Sequence, residues 1–333
     1  MVRLQAVLDS LISGGAAGVL LHYRDGEGEW SGSAGVAEVG TGRAVDPEGC
    51  FRVGSITKTF TATVVLQLVG EGVLGLGDSV ERWLPGMIPT GAGITLLHLL
   101  NHTSGLYNYV NDLPDTAGIV RDRYVHWDPA RAVDIAVQYP VVFKPGTAWS
   151  YSNTNYTLLG LIIEAATGRS YEAEVEARIL QPLDLKQTYL PGDTTALPEP
   201  HAHAYLAVGD DLVDTADVNV SQAWAAGALV STARDLNTFY TALLSGALLR
   251  ETEQQALLTT VPTAPDASAE SVGPGLFRIV LAEVDLWGHT GGIFGYETWS
   301  YHSLDGTHHL TLSLTNAGAP VPETAALFRR LLG

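Results

Sequence analysis

Lysine is nearly missing from this 333-residue chain: Lys58, Lys144 and Lys186 stand against 15 Arg. Where Arg serves so generally, a retained Lys suggests a task that guanidinium cannot do, such as losing its proton when buried. Cysteine is scarcer still. Cys50 alone excludes an intrachain disulfide and a structural zinc site of the Cys type, and reads as a small buried side chain. Stretches free of polar side chains reach only about eight residues, as at Gly14–Leu21, where a bilayer demands roughly 18–20. Positive charge is short, 18 bases against 36 acids for a net −18, which excludes a binder of nucleic-acid backbones and reads as solubility. Dense charge is also lacking: 16% of residues are charged and 46% hydrophobic, so the chain is not disordered. No secretory pattern opens it, since Leu4–Ile12 is amphipathic with Asp9 where an apolar core belongs. The expectation is a cytoplasmic protein if Met1 is the native start and a secreted one if a leader was trimmed.

The length suits one large domain or two packed ones. Strand patterns cluster at both ends. Gly18–Arg24, a turn at Asp25–Gly28 and Glu29–Ser33 read as a hairpin. Leu276–Leu281, Glu297–His302 and His309–Thr315 follow near the C-terminus, the last alternating with period two like a half-buried antiparallel strand. Helices are expected over Phe60–Val69, Ala130–Val137, Tyr156–Ala166 and Asp235–Leu244, closing with Pro322–Leu332 and its first-turn proline. Val261–Gly275, with three prolines, reads as the most loop-like stretch. The pattern predicts an α+β fold: one antiparallel sheet from both termini (1–75 and 220–333) flanked by helices, and a mostly helical region (76–219) between.

Ser55-Ile56-Thr57-Lys58 is the chain's one S-x-x-K, placed at a helix start. Spacing of three puts both side chains on one face, and the helix N-terminus favours negative charge developing at Ser55. The helix beyond is apolar nearly all round, so Lys58 should be partly desolvated and able to accept the Ser55 proton. The plainer reading makes Ser55 an N-cap and Lys58 a solvated first-turn residue. Tyr151-Ser152-Asn153 precedes another helix: Tyr151 as packing and Asn153 as a cap is the structural reading, a proton-shuttling phenol and a substrate-positioning amide the chemical one. Gly288-His289-Thr290-Gly291-Gly292 opens a strand whose glycines permit close approach of a substrate backbone.

With these motifs in this order, the sequence resembles the serine β-lactamase and penicillin-recognising family, in its class C β-lactamase-like branch with the soluble D-alanyl-D-alanine carboxypeptidases. Further family-like stretches are F-R-V-G-S-I-T-K-T-F (51–60), L-L-N-H-T-S-G-L-Y (99–107), P-G-T-A-W-S-Y-S-N-T-N-Y (145–156) and A-G-A-L-V-S-T (226–232). The resemblance implies the β-lactamase/transpeptidase-like fold and catalysis through an acyl-enzyme. Ser55 would be the nucleophile and Lys58 with Tyr151 the proton-transfer pair. Asn153, His289, Thr290 and Gly291 would line the cleft, with the Ser55 and Gly292 N–H groups as oxyanion hole. No cofactor or metal is called for. The partner is a small-molecule or short-peptide acyl donor.

One departure stands out. In the carboxypeptidases an Arg before H-T-G and a Thr just after it hold the substrate's free carboxylate. Here Gly292 takes the Thr position and Phe277 the Arg position, with Arg278 one residue off and hence on the other strand face. A serine hydrolase of neutral amides, esters or lactams is therefore expected; the alternatives are an acyltransferase using the same acyl-enzyme and a non-catalytic penicillin-binding-like sensor. His201-Ala202-His203 resembles the start of a metal motif, but Tyr205 stands where an Asp is needed, and no G-x-S-x-G supports an α/β-hydrolase.

Overall fold

The computed structural model describes residues 2–264, 270–281, 283–316 and 320–332. The predicted hairpin forms β1 (Ala16–Asp25) and β2 (Gly28–Gly35). The C-terminal strands are β3 (Val261–Pro262), β4 (Glu270–Gly273), β5 (Leu276–Leu281), β6 (Val284–Ile293), β7 (Tyr296–Ser303) and β8 (His309–Asn316). They make one antiparallel sheet in the order β2-β1-β8-β7-β6-β5-β4-β3. The two ends of the chain meet where Leu21 pairs with Leu312. Two expectations are corrected. The supposed loop after Val261 contributes the edge strands β3 and β4; its residues 265–269 lie outside the described set. The H-T-G segment lies in the second half of β6 rather than at its start.

Helix α1 (Val2–Ser13) and helix α5 (Thr324–Leu332) cover one sheet face, and α5 begins beyond Pro322 rather than with it. Leu8, Leu11, Phe328 and Leu331 pack there on Val19, Leu21, Leu312 and Trp299. On the other face lie the buried helix α2 (Thr57–Gly70) and α4 (Ala233–Leu244), with α3 (Asn153–Thr167) packed on α2. Alternation along β8 does not mean a solvated face. Thr311, Ser313 and Thr315 are as buried as their apolar neighbours, and Thr311 donates to Asn237 of α4 at 2.6 Å.

Helix α2 lacks an amphipathic stripe because it has no solvent side: Thr57 through Leu66 are all buried. Its hydroxyls bond to backbone carbonyls, Thr59 to Gly275 and Thr61 to Ala225, each at 2.7 Å, which satisfies polar groups that burial would otherwise penalise. α3 ends where Gly168 takes φ 69°, a left-handed cap. The intervening region holds short helices and a small strand pair, Tyr205–Val208 with Asp211–Asp214. Among the described residues no helix is long and apolar enough to cross a membrane.

Candidate active site

The site lies where the sheet stops short. β5 pairs with β6 only as far as Gly288, so residues 289–293 present an open edge. Against that edge packs the 3₁₀ turn Gly54–Ile56 leading into α2. The approach is so close that a Cβ on Gly291 would stand 1.9 Å from the Val53 carbonyl oxygen and 3.0 Å from Ser55 N. Glycine is required at 291 for this reason. The two backbone N–H groups named from the sequence, those of Ser55 and Gly292, are carried by these two abutting segments.

Ser55 is neither an N-cap nor part of the regular helix; it sits in the 3₁₀ turn, partly exposed, one turn before Lys58. Lys58 is 0% exposed. Its Nζ lies 2.9 Å from Ser55 Oγ, 2.7 Å from Asn153 Oδ1 and 2.6 Å from the Ala226 carbonyl oxygen. Burial drives its pKa well below the ordinary lysine value. A neutral amine has two N–H donors and one lone pair. The two carbonyl-type oxygens take both donors, so the lone pair faces the Ser55 hydroxyl. The solvated-lysine reading is excluded by this burial.

Tyr151 comes from the loop before α3, lies beside Ser55, and has its ring centroid 5.0 Å from Lys58 Nζ. Burial raises its pKa further than neighbouring Ser55 lowers it, so the phenol holds its proton at neutral pH. Asn153 opens α3 after the N-cap Ser152, so it is not the cap itself. Its backbone N and Nδ2 donate to Asn108 Oδ1 at 3.1 and 3.2 Å, which turns Oδ1 towards Lys58. His289 is buried, its Nδ1 against the Thr290 carbonyl oxygen, and burial beside Lys58 lowers its pKa to about 3. It is a neutral imidazole at any ordinary pH.

Thr290, one step along β6, lines a separate cavity of about 140 Å³ on the other strand face, with Phe277, Glu270 and Glu323. Gly292 and Ser55 line the main cleft, about 240 Å³, walled by Tyr109, Leu113, Ile119, Leu206, Ile293 and Phe294. The structure thus gathers Ser55, Lys58, Tyr151, Asn153 and His289 around one point, with Gly291 and Gly292 on its rim. Phe277 packs beside the site, its ring 5.0 Å from that of His289 and 6.5 Å from that of Tyr151. Arg278 is held in a two-bond pair with Asp285, at 2.9 and 3.0 Å. His201 and His203 stack on each other, 5.0 Å apart, and line neither cavity.

Sequence reasoning missed His102. Its ring stacks on Tyr151 at 4.3 Å, and its Nδ1 accepts from Ser152 N and Asn155 Nδ2, both at 3.2 Å. The family-like stretch 99–107 was the available signal. His102 also takes φ 59°, unusual for a side-chain-bearing residue. The partners of Lys58 and Asn153, Ala226 O and Asn108, were likewise unread.

Residues 4–323 match the Beta-lactamase family. Penicillin-binding protein 4* of Bacillus subtilis (strain 168) is 35% identical over 182 residues, covering 51% of this chain and 37% of that protein. The chain spans about half or less of the curated relatives it first matches, 37% and 54% of their lengths. Among solved structures, a D-stereospecific amidohydrolase from Streptomyces sp. superposes with TM-score 0.90 at 38% identity, covering 99% of this chain and 97% of that one. D-amino acid amidase from Ochrobactrum anthropi SV3, complexed with L-phenylalanine amide, superposes with TM-score 0.85 at 29% identity over 99% and 95%.

Proposed function

The chain belongs to the beta-lactamase family, and from that premise we propose that it is a serine hydrolase that cleaves amides of D-amino acids through an acyl-enzyme on Ser55. The observation that carries the chemistry is the bonding of Lys58: two carbonyl acceptors fix a desolvated amine with its lone pair towards Ser55 Oγ. The substrate class is supported by the amidohydrolase and amidase likenesses and by the apolar walls of the cleft, which suit a bulky side chain.

Lys58 takes the Ser55 proton as Oγ bonds to the substrate carbonyl carbon. The resulting oxyanion is held by the N–H groups of Ser55 and Gly292. Collapse breaks the C–N bond, and the departing amine takes a proton passed from Lys58 through the Tyr151 hydroxyl. Water then attacks the ester and gives its proton to the same pair, which passes it to Ser55 Oγ as the C–Oγ bond breaks, releasing the D-amino acid and restoring Ser55 and neutral Lys58. Because the resting phenol keeps its proton, Lys58 is the base and Tyr151 the relay. Asn153 orients the acyl part.

The test is hydrolysis of D- and L-phenylalanine amide by the wild type and by Ser55→Ala. Expected are at least tenfold preference for the D-enantiomer, an acyl mass on the Ser55 peptide after trapping, and loss of turnover by about 10⁶ in the variant. Equal rates on the two enantiomers refute the stereochemical reading, and an adduct persisting in Ser55→Ala refutes the nucleophile.

A further inference from the structure

The strand next to the reactive edge carries an acidic group that the mechanism above does not use. Glu297 on β7 pairs directly across from Gly292 on β6, so its side chain shares a strand face with position 292 and, two residues back, with Thr290. A Cβ placed on Gly292 would lie 2.9 Å from Glu297 Oε2 and 3.1 Å from Oε1. The carboxyl group therefore occupies the space that a side chain at 292 would fill, beside the N–H expected to hold the oxyanion. Glu297 is partly buried and has no hydrogen bond or ion pair among the described residues. Burial alone pushes its carboxyl up to about 7, with no neighbouring cation to hold it down.

Position 292 and position 277 are where the resembling carboxypeptidases place the Thr and Arg that grip a free carboxylate on the departing amine. This chain supplies neither group. Phe277 fills one place and the Glu297 carboxylate the space of the other, while Arg278 is already paired with Asp285. The separate 140 Å³ cavity on the same strand face, under Thr290, is acidic as well, lined by Glu270 and Glu323. The charge of the subsite is inverted rather than merely removed.

We propose that Glu297 is a specificity-determining residue: it selects amides whose departing amine carries a positive charge close to the scissile bond, and turns away those that carry a carboxylate there. The ligand class is a primary ammonium one to three atoms beyond the scissile nitrogen, which would form a charge-assisted hydrogen bond with the vacant carboxylate. This inference rests on the amidase reading above, and makes it finer by naming the amine side of the substrate.

Three D-phenylalanyl amides of similar size test it, with glycine, glycinamide and ethylenediamine as the departing amines; they differ there only in being anionic, neutral and cationic. At pH 8, where the carboxyl is ionised, wild-type kcat/KM should rank cationic over neutral over anionic, with at least tenfold between the extremes. In Glu297→Gln the cationic-to-anionic ratio should collapse towards one, and in Glu297→Lys it should invert. A ratio near one or below in the wild type overturns the proposal, whether or not the variants fold. So does a wild-type ratio that Glu297→Gln leaves intact, since another group then reads the charge. The neutral glycinamide substrate separates the two claims: if none of the three is cleaved the amidase reading fails, whereas cleavage of all three without charge ranking leaves that reading standing and sinks this one.

Discussion

Adding one methyl group at Gly291 should disable the site without touching any side chain in it. In Gly291→Ala the new Cβ would begin 1.9 Å from Val53 O, 2.9 Å from Val53 C and 3.0 Å from Ser55 N, all backbone atoms with no rotamer to retreat into. Relief requires the end of β6 to move away from the Ser55 turn by about 1 Å, a displacement that can cost about 10² in rate when it misplaces a reacting group. The Gly292 N–H moves with its neighbour. An N–H held at about 2.9 Å from an oxyanion is then near 4 Å and no longer bonds. Loss of one oxyanion donor costs about 10²–10³ in kcat, or about 2.7–4 kcal/mol. The cleft walls that come from other elements, Tyr109, Leu113, Ile119 and Leu206, are untouched, so KM should stay within about threefold. The assay is steady-state kinetics on D-phenylalanine amide, with circular dichroism to establish that the variant is folded. Folded Gly291→Ala with kcat within threefold of wild type refutes the reasoning, because the strand end would then not be supplying the donor. Gly292→Ala is the internal contrast: its Cβ meets only the movable end of Glu297 at 2.9 Å, so its kcat should drop by less than tenfold.

Lys58→Arg keeps the charge but not the capacity to lose it; turnover should fall by at least about 10²–10³, and near-normal turnover in single-turnover assays would rule out Lys58 as base. The acid limb of kcat/KM should track Lys58, falling as pH drops and the amine gains a proton, and it should keep its position in His289→Asn because an imidazole with pKa about 3 is already neutral. His102→Ala removes the acceptor for two buried donors and should destabilise the fold by about 2–4 kcal/mol in urea titrations; a loss below 1 kcal/mol would show that the Ser152 and Asn155 donors find other partners. Stability should also fall as pH drops from 6.5 towards 4.5. His102, His289 and His302 have folded pKa values below the unfolded 6.5, so in that window the unfolded chain binds their protons and the native one does not. As the pH falls through that window each ring costs the fold stability, while Glu297, raised to about 7, works the other way as it protonates. Three rings oppose one carboxyl, so the fall should dominate, and flat stability across pH 6.5–4.5 in urea denaturation would contradict the burial of these rings.

What the sequence made legible were the residues whose chemistry follows from local spacing. Ser55 and Lys58 are one helical turn apart, and Tyr151 and Asn153 flank a helix start, so their arrangement follows from a few consecutive dihedrals. The hairpin β1–β2 was legible from its turn, and α3 from its closing glycine. Groups assembled from afar were not. Ala226 holds Lys58 through a main-chain oxygen, which leaves no trace in residue type. Glu297 reads as an ordinary polar strand position until β7 is paired with β6 in register. β3 and β4 escaped because prolines argue against strands, although edge strands tolerate them. The polar positions of β8 suggested solvent, yet α4 covers them and supplies a hydrogen-bonding partner, Asn237.

The meeting of β1 with β8 has a consequence for biosynthesis. Leu21 and Leu312 are neighbours across the sheet but about 290 residues apart along the chain. At roughly 5–20 residues per second, a ribosome needs about 15–60 s to reach the second after making the first. Throughout that interval Val19, Leu21 and Tyr23 can be covered by α1 but have no strand beside them on the β8 side. Ser55 and Lys58 emerge early as well, yet the strand end that completes their site arrives only with residues 289–293. Folding is thus deferred until most of the chain has been translated, and closing so long a loop makes it slow. Until then the nascent hairpin presents an unpaired edge, and a chaperone that binds exposed strands would find its substrate there.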